Sequence, residues 1–385
     1  MILVAVALEL MLYARLLLGG GRAIRSDDAI QDSPGGWPAA AMVVPVAGVT
    51  PSTRDALRSL LAQDYPDYEV VFSLQDDADP AAPLAEKLIR GVSRGQLVLA
   101  GKTASCSQKN RNILAGLKAV RTTPEVLVLC DSTRLAPSGF LRALVAPIAR
   151  GEARVTSGYH HVAFEGSGIL GPARAVTVLI LYLTKTVRSM NQPWGGAMAI
   201  RRELFEELGV GEIWGSTVVD DVTLAGRLTE AGIPTVLSRG ACLSTPVVHD
   251  SVSAYIHWLD RQWLYLKFVF PLQWLFAGIN QHILAVLSIV SPAAGIAFAA
   301  GGASPIQGIS AIVFLAGVLC FGLALRRLHP RPGNRARWLA AIFLAIWMSS
   351  WSHMRTLFAR TVDWKGVRYR VGRGGRVTGI SRMGS

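Results

Sequence analysis

The chain has 385 residues, of which 51% are hydrophobic and only 17% charged. That composition excludes an intrinsically disordered chain and leaves more apolar sequence than one soluble core of this size needs. A formal net charge of +13 suits nucleic acid, an anionic lipid surface or an anionic substrate. Its placement decides between them. The basic stretches from Arg326 to Arg337 and from Arg360 to Arg376 flank apolar segments, where cytoplasmic charge sits beside a bilayer, so nucleic acid is set aside as a partner. Cys106, Cys130, Cys242 and Cys320 show neither CxxC pairing nor zinc-ligand spacing, which fits a reducing compartment.

Residues 1–20 are apolar apart from Glu9 and Arg15 and lack a basic leader and a small-residue cleavage site, so they read as an uncleaved membrane anchor. A linker with Gly, Pro and Asp follows. From there apolar, β-branched runs at 41–47, 69–74, 96–100 and 125–130 alternate with helical patterns at 52–61, 82–93 and 107–120. This predicts an α/β domain over 37–251, a doubly wound, mostly parallel sheet with ligands at the carboxyl ends of its strands. Asp76 and Asp131 fall at two of those ends. In 252–270 Tyr255, Leu259, Trp263 and Leu266 recur at helical spacing, with Ser253, His257, Asp260 and Lys267 on the other side, which predicts an interfacial amphipathic helix. Residues 271–358 hold three apolar segments, at 272–290, 309–325 and 338–358. With the catalytic domain and both basic stretches on the cytoplasmic side, the first two form a hairpin. Either the third is then re-entrant or interfacial, with Ser349, Ser350 and His353 facing protein, which is the favoured reading, or one charged stretch breaks the rule. Residues 359–385 read as a basic cytoplasmic tail.

Sugar transfer from a nucleotide diphosphate needs positive charge on the leaving group, a carboxylate to hold a cation, and a base for the acceptor hydroxyl. Asp131, ending the run VLVLC, suits a metal ligand, or it caps the following turn. Asp76, Asp77 and Asp79 suit hydrogen bonds to a nucleotide, or they form an acidic turn before a helix. Asp220 and Asp221 precede a helical run, where one acts as base or both serve as N-cap residues. Lys109, with Asn110, Arg111 and Asn112, makes a cationic helix start for diphosphate oxygens, or a solvated face. Gly195 and Gly196 permit a ligand close to the backbone beside Trp194, which would stack on a sugar ring; a tight turn is the plainer reading. His160 and His161 have no partner at ligand spacing and read as structural.

Taken in order, these segments resemble the family 2 glycosyltransferases of the GT-A fold, most closely the ceramide glucosyltransferase group and its bacterial relatives that glycosylate hopanoids. The stretch from VVPVAG to QDDADPA is similar to the family's first strand, helix, second strand and first acidic motif, which implies a donor-nucleotide role for Asp76 and Asp79. SQKNRNILAGL resembles the lysine- and asparagine-bearing segment, in which Lys109 and Asn112 match. CDST stands where the family has Asp-x-Asp, with Thr133 replacing the second acid, so Asp131 inherits the metal. GGAMAIRRELFEELG resembles the acceptor-side Gly-Gly motif, and VDDVTLAGRL the third acidic motif, implying Asp221 as general base with Asp220 beside it. LDRQW departs from the family's QxxRW box: Trp263 is kept, Gln262 replaces the arginine, and Arg261 stands one position earlier. DWKGVRYRV resembles the Trp-Arg-Gly-Arg-x-Tyr tail of lipid glycosyltransferases, with Trp364, Lys365 and Tyr369 in place, which implies an acceptor-side role for Trp364 and Tyr369, as the boxes before it do for Arg261 and Trp263.

The resemblance implies an inverting transferase that moves one sugar from a nucleotide sugar, UDP-glucose or UDP-GlcNAc, to a lipid such as a ceramide or hopanoid. It also implies Mg²⁺ or Mn²⁺ as cofactor and a catalytic domain on the cytoplasmic face of a bacterial inner membrane. A processive polysaccharide synthase is the alternative within the enzyme class, and the altered QxxRW box counts against it. A non-catalytic scaffold that binds lipid or nucleotide sugar is the alternative outside it.

Overall fold

A computed structural model describes residues 9, 11, 14–21, 36–187, 190–247 and 251–382. Strands β1 (Ala40–Pro45), β2 (Tyr68–Leu74), β3 (Gly95–Leu99) and β4 (Val126–Cys130) alternate with helices α1 (Thr53–Leu61), α2 (Ala82–Ile89) and α3 (Gln108–Ala119). All seven lie where the apolar runs put them, with α2 ending earlier, just before Gly91 at φ 77°. The helices α4 (Phe140–Ala149), α5 (Leu170–Lys185), α6 (Arg202–Glu207), α7 (Val210–Trp214) and α8 (Asp221–Glu230) accompany strands β5 (Val155–Phe164), β6 (Ala197–Arg201) and β7 (Val236–Val247).

The seven strands form one sheet in the order β3-β2-β1-β4-β6-β5-β7. β3, β2, β1 and β4 are parallel, β6 runs against both β4 and β5, and β7 is parallel to β5. Successive side chains of the central strands enter opposite cores. Met42, Val44, Phe72 and Val128 pack with Leu57, Leu60 and Phe140 on one face, while Val43, Val71, Leu127 and Leu129 pack with Ile113, Trp214 and Leu224 on the other. Helices therefore cover both faces, which is why these strands read as unbroken apolar runs rather than alternating ones. The strand order reverses between β1 and β4, and the crevice at their carboxyl ends is where such sheets take ligands.

Helices α9 (Val252–Val269), α10 (Pro271–Ala299), α11 (Pro305–Arg326) and α12 (Arg335–Thr356) follow the sheet domain. α9 has the predicted length but is not a surface helix with one free polar face. Tyr255 and Leu259 enter one core and Leu264 and Phe268 another. On its supposed polar side, Asp260 accepts from Ser352 and Arg355, and Lys267 donates to the carbonyls of Thr356, Leu357 and Ala359. Asp260 and Lys267 are thus brackets to α12 and its end, a use the helical period cannot show, while Ser253 and His257 stay exposed.

α10 and α11 are long and apolar enough to cross a membrane. Their outer faces leave large side chains uncovered: Phe276 is 66% and Ile296 72% exposed. An apolar surface of this extent has a partner in lipid or protein. α12 is the inner helix of the group. Its Trp338 and Ile342 are buried, and His282 of α10 pairs with Ser350 (2.7 Å) and His353 (3.0 Å), so Ser350 and His353 face protein. Gly278 makes room for this, since a Cβ there would stand 2.0 Å from the His353 ring.

The basic tail is a folded module. Strands β8 (Thr361–Trp364), β9 (Val367–Val371) and β10 (Val377–Arg382) form an antiparallel sheet in the order β10-β9-β8. Val367, Tyr369 and Val371 point inward while Arg368 and Arg370 stay in solvent. Val218 N donates to the Gly375 carbonyl and Val377 N to that of Ser216, so the sheet is pinned to the segment before α8. At the other end of the chain, residues 14–21 are helical and Gly20 lies against Leu183 of α5. The rest of the predicted 1–20 anchor and the linker over 22–35 lie outside the described residues.

Candidate active site

At the carboxyl ends of β1 and β4 lies a cavity of about 540 Å³. Pro45, Val46 and Ala47 line it from β1, and Asp131 to Arg134 from β4. Its further walls come from α3, β5, α5, α8, α9 and the β8–β9 hairpin, with Ala277 of α10 and Ser349 of α12, so parts of the chain distant in sequence meet there.

Lys109 sits at the centre, in the first turn of α3, where Ser107 caps the helix by accepting from Asn110 N. That helix start is stitched to the loop before α8: Ser107 N and Asn110 Nδ2 both donate to the Thr217 carbonyl (3.0 Å each), and Trp214 Nε1 donates to that of Asp220. The result is a short chain of charges. Lys109 Nζ lies 3.3 Å from Asp131 Oδ1 and 3.1 Å from Asp220 Oδ2, while Arg134 Nη2 reaches Asp131 Oδ2 at 3.5 Å. Burial alone would weaken the charge on Lys109, but Asp131, Asp220 and Asp221 reverse that and hold it above the ordinary lysine range. Burial likewise pushes Asp131 up, and Lys109 with Arg134 brings it below the usual carboxylate range. For Asp220 burial prevails, helped by Asp221 and Asp131, and its carboxyl is raised.

Asp220 stands at the N-cap of α8 but makes no capping bond, its side chain being turned to Lys109. Asp221 is the more open of the two. Its Oδ2 accepts from Gly195 N at 2.9 Å and its Oδ1 from Val222 N at 2.8 Å, which fixes the carboxylate on the cavity wall. Gly195 is required by this packing: a Cβ there would lie 2.1 Å from Asp220 Oδ2. At Gly196 a Cβ would lie 2.2 Å from the Trp194 ring. Both glycines serve a close approach within the protein, which is more than a turn and different from a seat for a ligand.

The remaining predicted residues divide. Arg261, Trp263, Trp364, Asn112, Trp194 and Tyr369 all line the cavity. Asn112, however, takes a hydrogen bond from Gln108 and gives its amide hydrogens to the carbonyls of Val46 and Ser73, so it ties the ends of β1 and β2 together. Trp194 is stacked on His160 (centroids 4.6 Å apart, planes 15° apart), which occupies one face of the ring expected to meet a sugar. Tyr369 is fully buried and its hydroxyl accepts from Gln108 N, a locking contact. Of the run 109–112 only Lys109 turns its charge into the cavity, for Asn110 faces Thr217 and Arg111 donates to the Ala100 carbonyl.

Asp76 and Asp79 are not on the cavity wall. Asp79 accepts from Gly48 N through both oxygens (2.9 and 3.0 Å) and from Ala81 N, holding the loop that follows β1. Asp76 accepts from its neighbour Gln75. The acidic turn thus shapes the rim through backbone bonds, which a reading of local composition could not separate from ligand contacts.

Sequence reasoning missed Arg134 and read His160 as structural; both are on the wall. His160 hydrogen-bonds Thr245 through Nδ1 (2.7 Å), and Arg134 lies over Trp194 at 5.4 Å. Asp131 is three residues from Arg134, but Thr245 and Trp194 are distant in sequence, so local spacing announces only the ion pair. Burial, then the charge of Arg134, holds His160 well below its ordinary 6.5. Burial also lowers His161 and brings His329, in the loop after α11, to about 4. In the unfolded chain these rings take up protons near pH 6.5 that the folded chain refuses, so stability is complete above that pH and is lost as pH falls below it. The melting temperature is therefore expected to drop between pH 6.5 and 4, and His160→Gln to shrink that drop.

Asp131 is a hard oxygen donor with the hydroxyls of Ser132 and Thr133 beside it. Among the described residues no three His, Cys, Asp or Glu side chains converge into a cage. Mg²⁺ and similar ions are commonly held by one or two carboxylates completed by substrate phosphates and water, so Asp131 fits a cation that arrives with a diphosphate once Lys109 or Arg134, which now face its two oxygens, turns to the phosphates.

The family model of glycosyl transferase family 21 matches residues 2–377. The chain belongs to this family. The resemblance to the ceramide glucosyltransferase group is borne out, with family 21 as the family that matches, and the protein is a glycosyltransferase. Ceramide glucosyltransferase 1 of Caenorhabditis elegans is 21% identical over 362 residues, spanning 88% of this transferase and 73% of the relative. A mannosyltransferase from Pyrobaculum calidifontis, solved in complex with GDP-Man and Mn2+, has a TM-score of 0.51 at 16% identity and covers 93% of this chain and 99% of its own. That likeness concerns the fold, which is the mostly parallel α/β sheet of the GT-A glycosyltransferases.

Proposed function

We propose that this glycosyltransferase moves a single sugar, with inversion at the anomeric carbon, from a uridine diphosphate sugar to a hydroxyl of a lipid. The observation that carries the reading is the lining of the cavity. It joins Asp131, Asp220, Asp221 and Lys109 at the strand termini to Ala277 of α10 and Ser349 of α12 from the apolar helices. A polar donor and an apolar acceptor therefore each find a matching wall beside one set of carboxylates. The family and the ceramide glucosyltransferase relative support a lipid acceptor.

In this mechanism Asp221 accepts the proton of the acceptor hydroxyl as that oxygen attacks the anomeric carbon and the bond to the nucleotide diphosphate breaks. Gly195 N and Val222 N keep its carboxylate oriented. Lys109 places a fixed positive charge where negative charge grows on the leaving group, and Asp220 keeps that lysine charged and aimed. Asp131, with Ser132 and Thr133 beside it, would hold Mg²⁺ or Mn²⁺, which when bound offsets charge on the diphosphate. The archaeal mannosyltransferase with GDP-Man and Mn2+ supports a cation-dependent donor in this fold. α10 and α11 hold the protein in a bilayer, with the sheet domain on the cytoplasmic side in a bacterial inner membrane.

The test is to incubate membranes containing the protein with radiolabelled nucleotide sugars and identify labelled lipid by mass spectrometry. One sugar added to a lipid is the expected product. A ladder of lengthening glycans, or label in no lipid at all, overturns the reading.

A further inference from the structure

The hairpin between β8 and β9 turns through Lys365 and Gly366, whose φ angles are 48° and 76°. Two successive left-handed residues between paired strands make a tight turn whose first corner suits Asn, Asp or Gly. Among the described residues Lys365 is the one non-glycine with positive φ. A lysine crowds its Cβ against the backbone there and offers no local hydrogen bond in return. Backbone held this way is over-determined by its surroundings and is concentrated at ligand clamps and active sites.

What surrounds Lys365 shows where its side chain is aimed. It lines the cavity, and its Nζ lies 3.6 Å from the place a Cβ on Gly48 would occupy. Gly48 belongs to the loop leaving β1, the loop that Asp79 holds. The hairpin cannot easily swing from this position. Tyr369 takes a hydrogen bond from Gln108 N beside Lys109, and Arg382 donates to Gln75 at the end of β2. Both contacts set the hairpin over the carboxyl ends of the parallel strands.

Charge separates Lys365, with Arg261 of α9, from Lys109 and Arg134 on the same wall. Lys109 lies between two carboxylates and Arg134 leans on one of them. Lys365 has no ion-pair partner among the described residues. A cavity with an uncompensated ammonium at its strand-end side attracts an anion there.

We propose that Lys365 binds the diphosphate of the nucleotide sugar: the β8–β9 hairpin delivers its ammonium to the phosphate oxygens while Lys109 approaches from α3. The strained backbone is what places that ammonium over the loop after β1. The inference rests on the donor reading above and adds to it a residue and a segment that close over the phosphates.

The test uses the purified full-length protein with Mg²⁺ and measures binding of UDP and of uridine by calorimetry, alongside thermal melting. Lys365→Ala is expected to weaken UDP about tenfold, the effect of removing one charge-assisted hydrogen bond, and to leave uridine unchanged. Lys365→Arg restores UDP binding. Lys365→Gly, which suits the turn, melts no lower than the wild type and still loses UDP affinity, which separates charge from folding. Unchanged UDP affinity in Lys365→Ala or Lys365→Gly, with the wild type binding normally, overturns the proposal. Wild-type protein that binds no UDP overturns the donor reading itself, and the inference with it.

Discussion

Asp221→Asn is expected to lower kcat by about 10²–10⁴-fold, the contribution of a positioned general base, and to leave donor binding unchanged. The substitution keeps the size and shape of the side chain and one acceptor oxygen for Gly195 N or Val222 N, so the wall is preserved. What it removes is the ability to take a proton. Lys109 keeps its contacts to Asp131 and Asp220, so the diphosphate end of the cavity is not disturbed. Single-turnover kinetics with a lipid acceptor, together with UDP calorimetry, separate the two effects. Turnover near the wild-type rate would transfer the role of base to another group.

The second large effect is on stability. Lys109→Met removes the cation shared by Asp131 and Asp220, the latter only 2% exposed at its side chain. Taking one partner from a buried ion pair leaves an uncompensated charge and costs about 3–5 kcal/mol. The change should lower the urea midpoint and, with the role proposed for that ammonium at the leaving group, abolish turnover. Adding Asp220→Asn to Lys109→Met removes the stranded carboxylate, so the double variant should recover much of the stability and none of the activity. Equal destabilisation in the single and double variants would show that Lys109 matters for packing and not for charge.

The first half of the sheet was legible because its strands are covered on both faces. AAMVVP up to its half-buried Pro45, YEVVFSL and VLVLC are buried, and an apolar run between helical patterns is the signature of that placement. β5 and β7 gave no such signal. VTSGYHHVAF carries polar side chains that meet partners from afar: His160 finds Thr245 and Trp194, and His161 lies near Cys242. The acids at 131, 220 and 221 were readable as a set through the family's order of motifs, and Lys109 through its place at a helix start. Asp79 and Asn112 were readable as polar residues near the strand ends but not as backbone brackets, because the carbonyl or amide each one holds leaves no trace in residue type. The C-terminal module did carry a signal. In VRYRV the apolar positions alternate, and basic composition obscured a strand period that the buried Val367, Tyr369 and Val371 obey.

The position of that module along the chain orders the events of biosynthesis. Residues 361–382 emerge from the ribosome after α10 and α11, so the apolar helices are made before the last wall of the cavity exists. Until then Gln108 N lacks the Tyr369 hydroxyl and the Val218 amide lacks the Gly375 carbonyl. On the proposed reading the nascent enzyme completes its cavity only once the helices that would meet lipid are already synthesised.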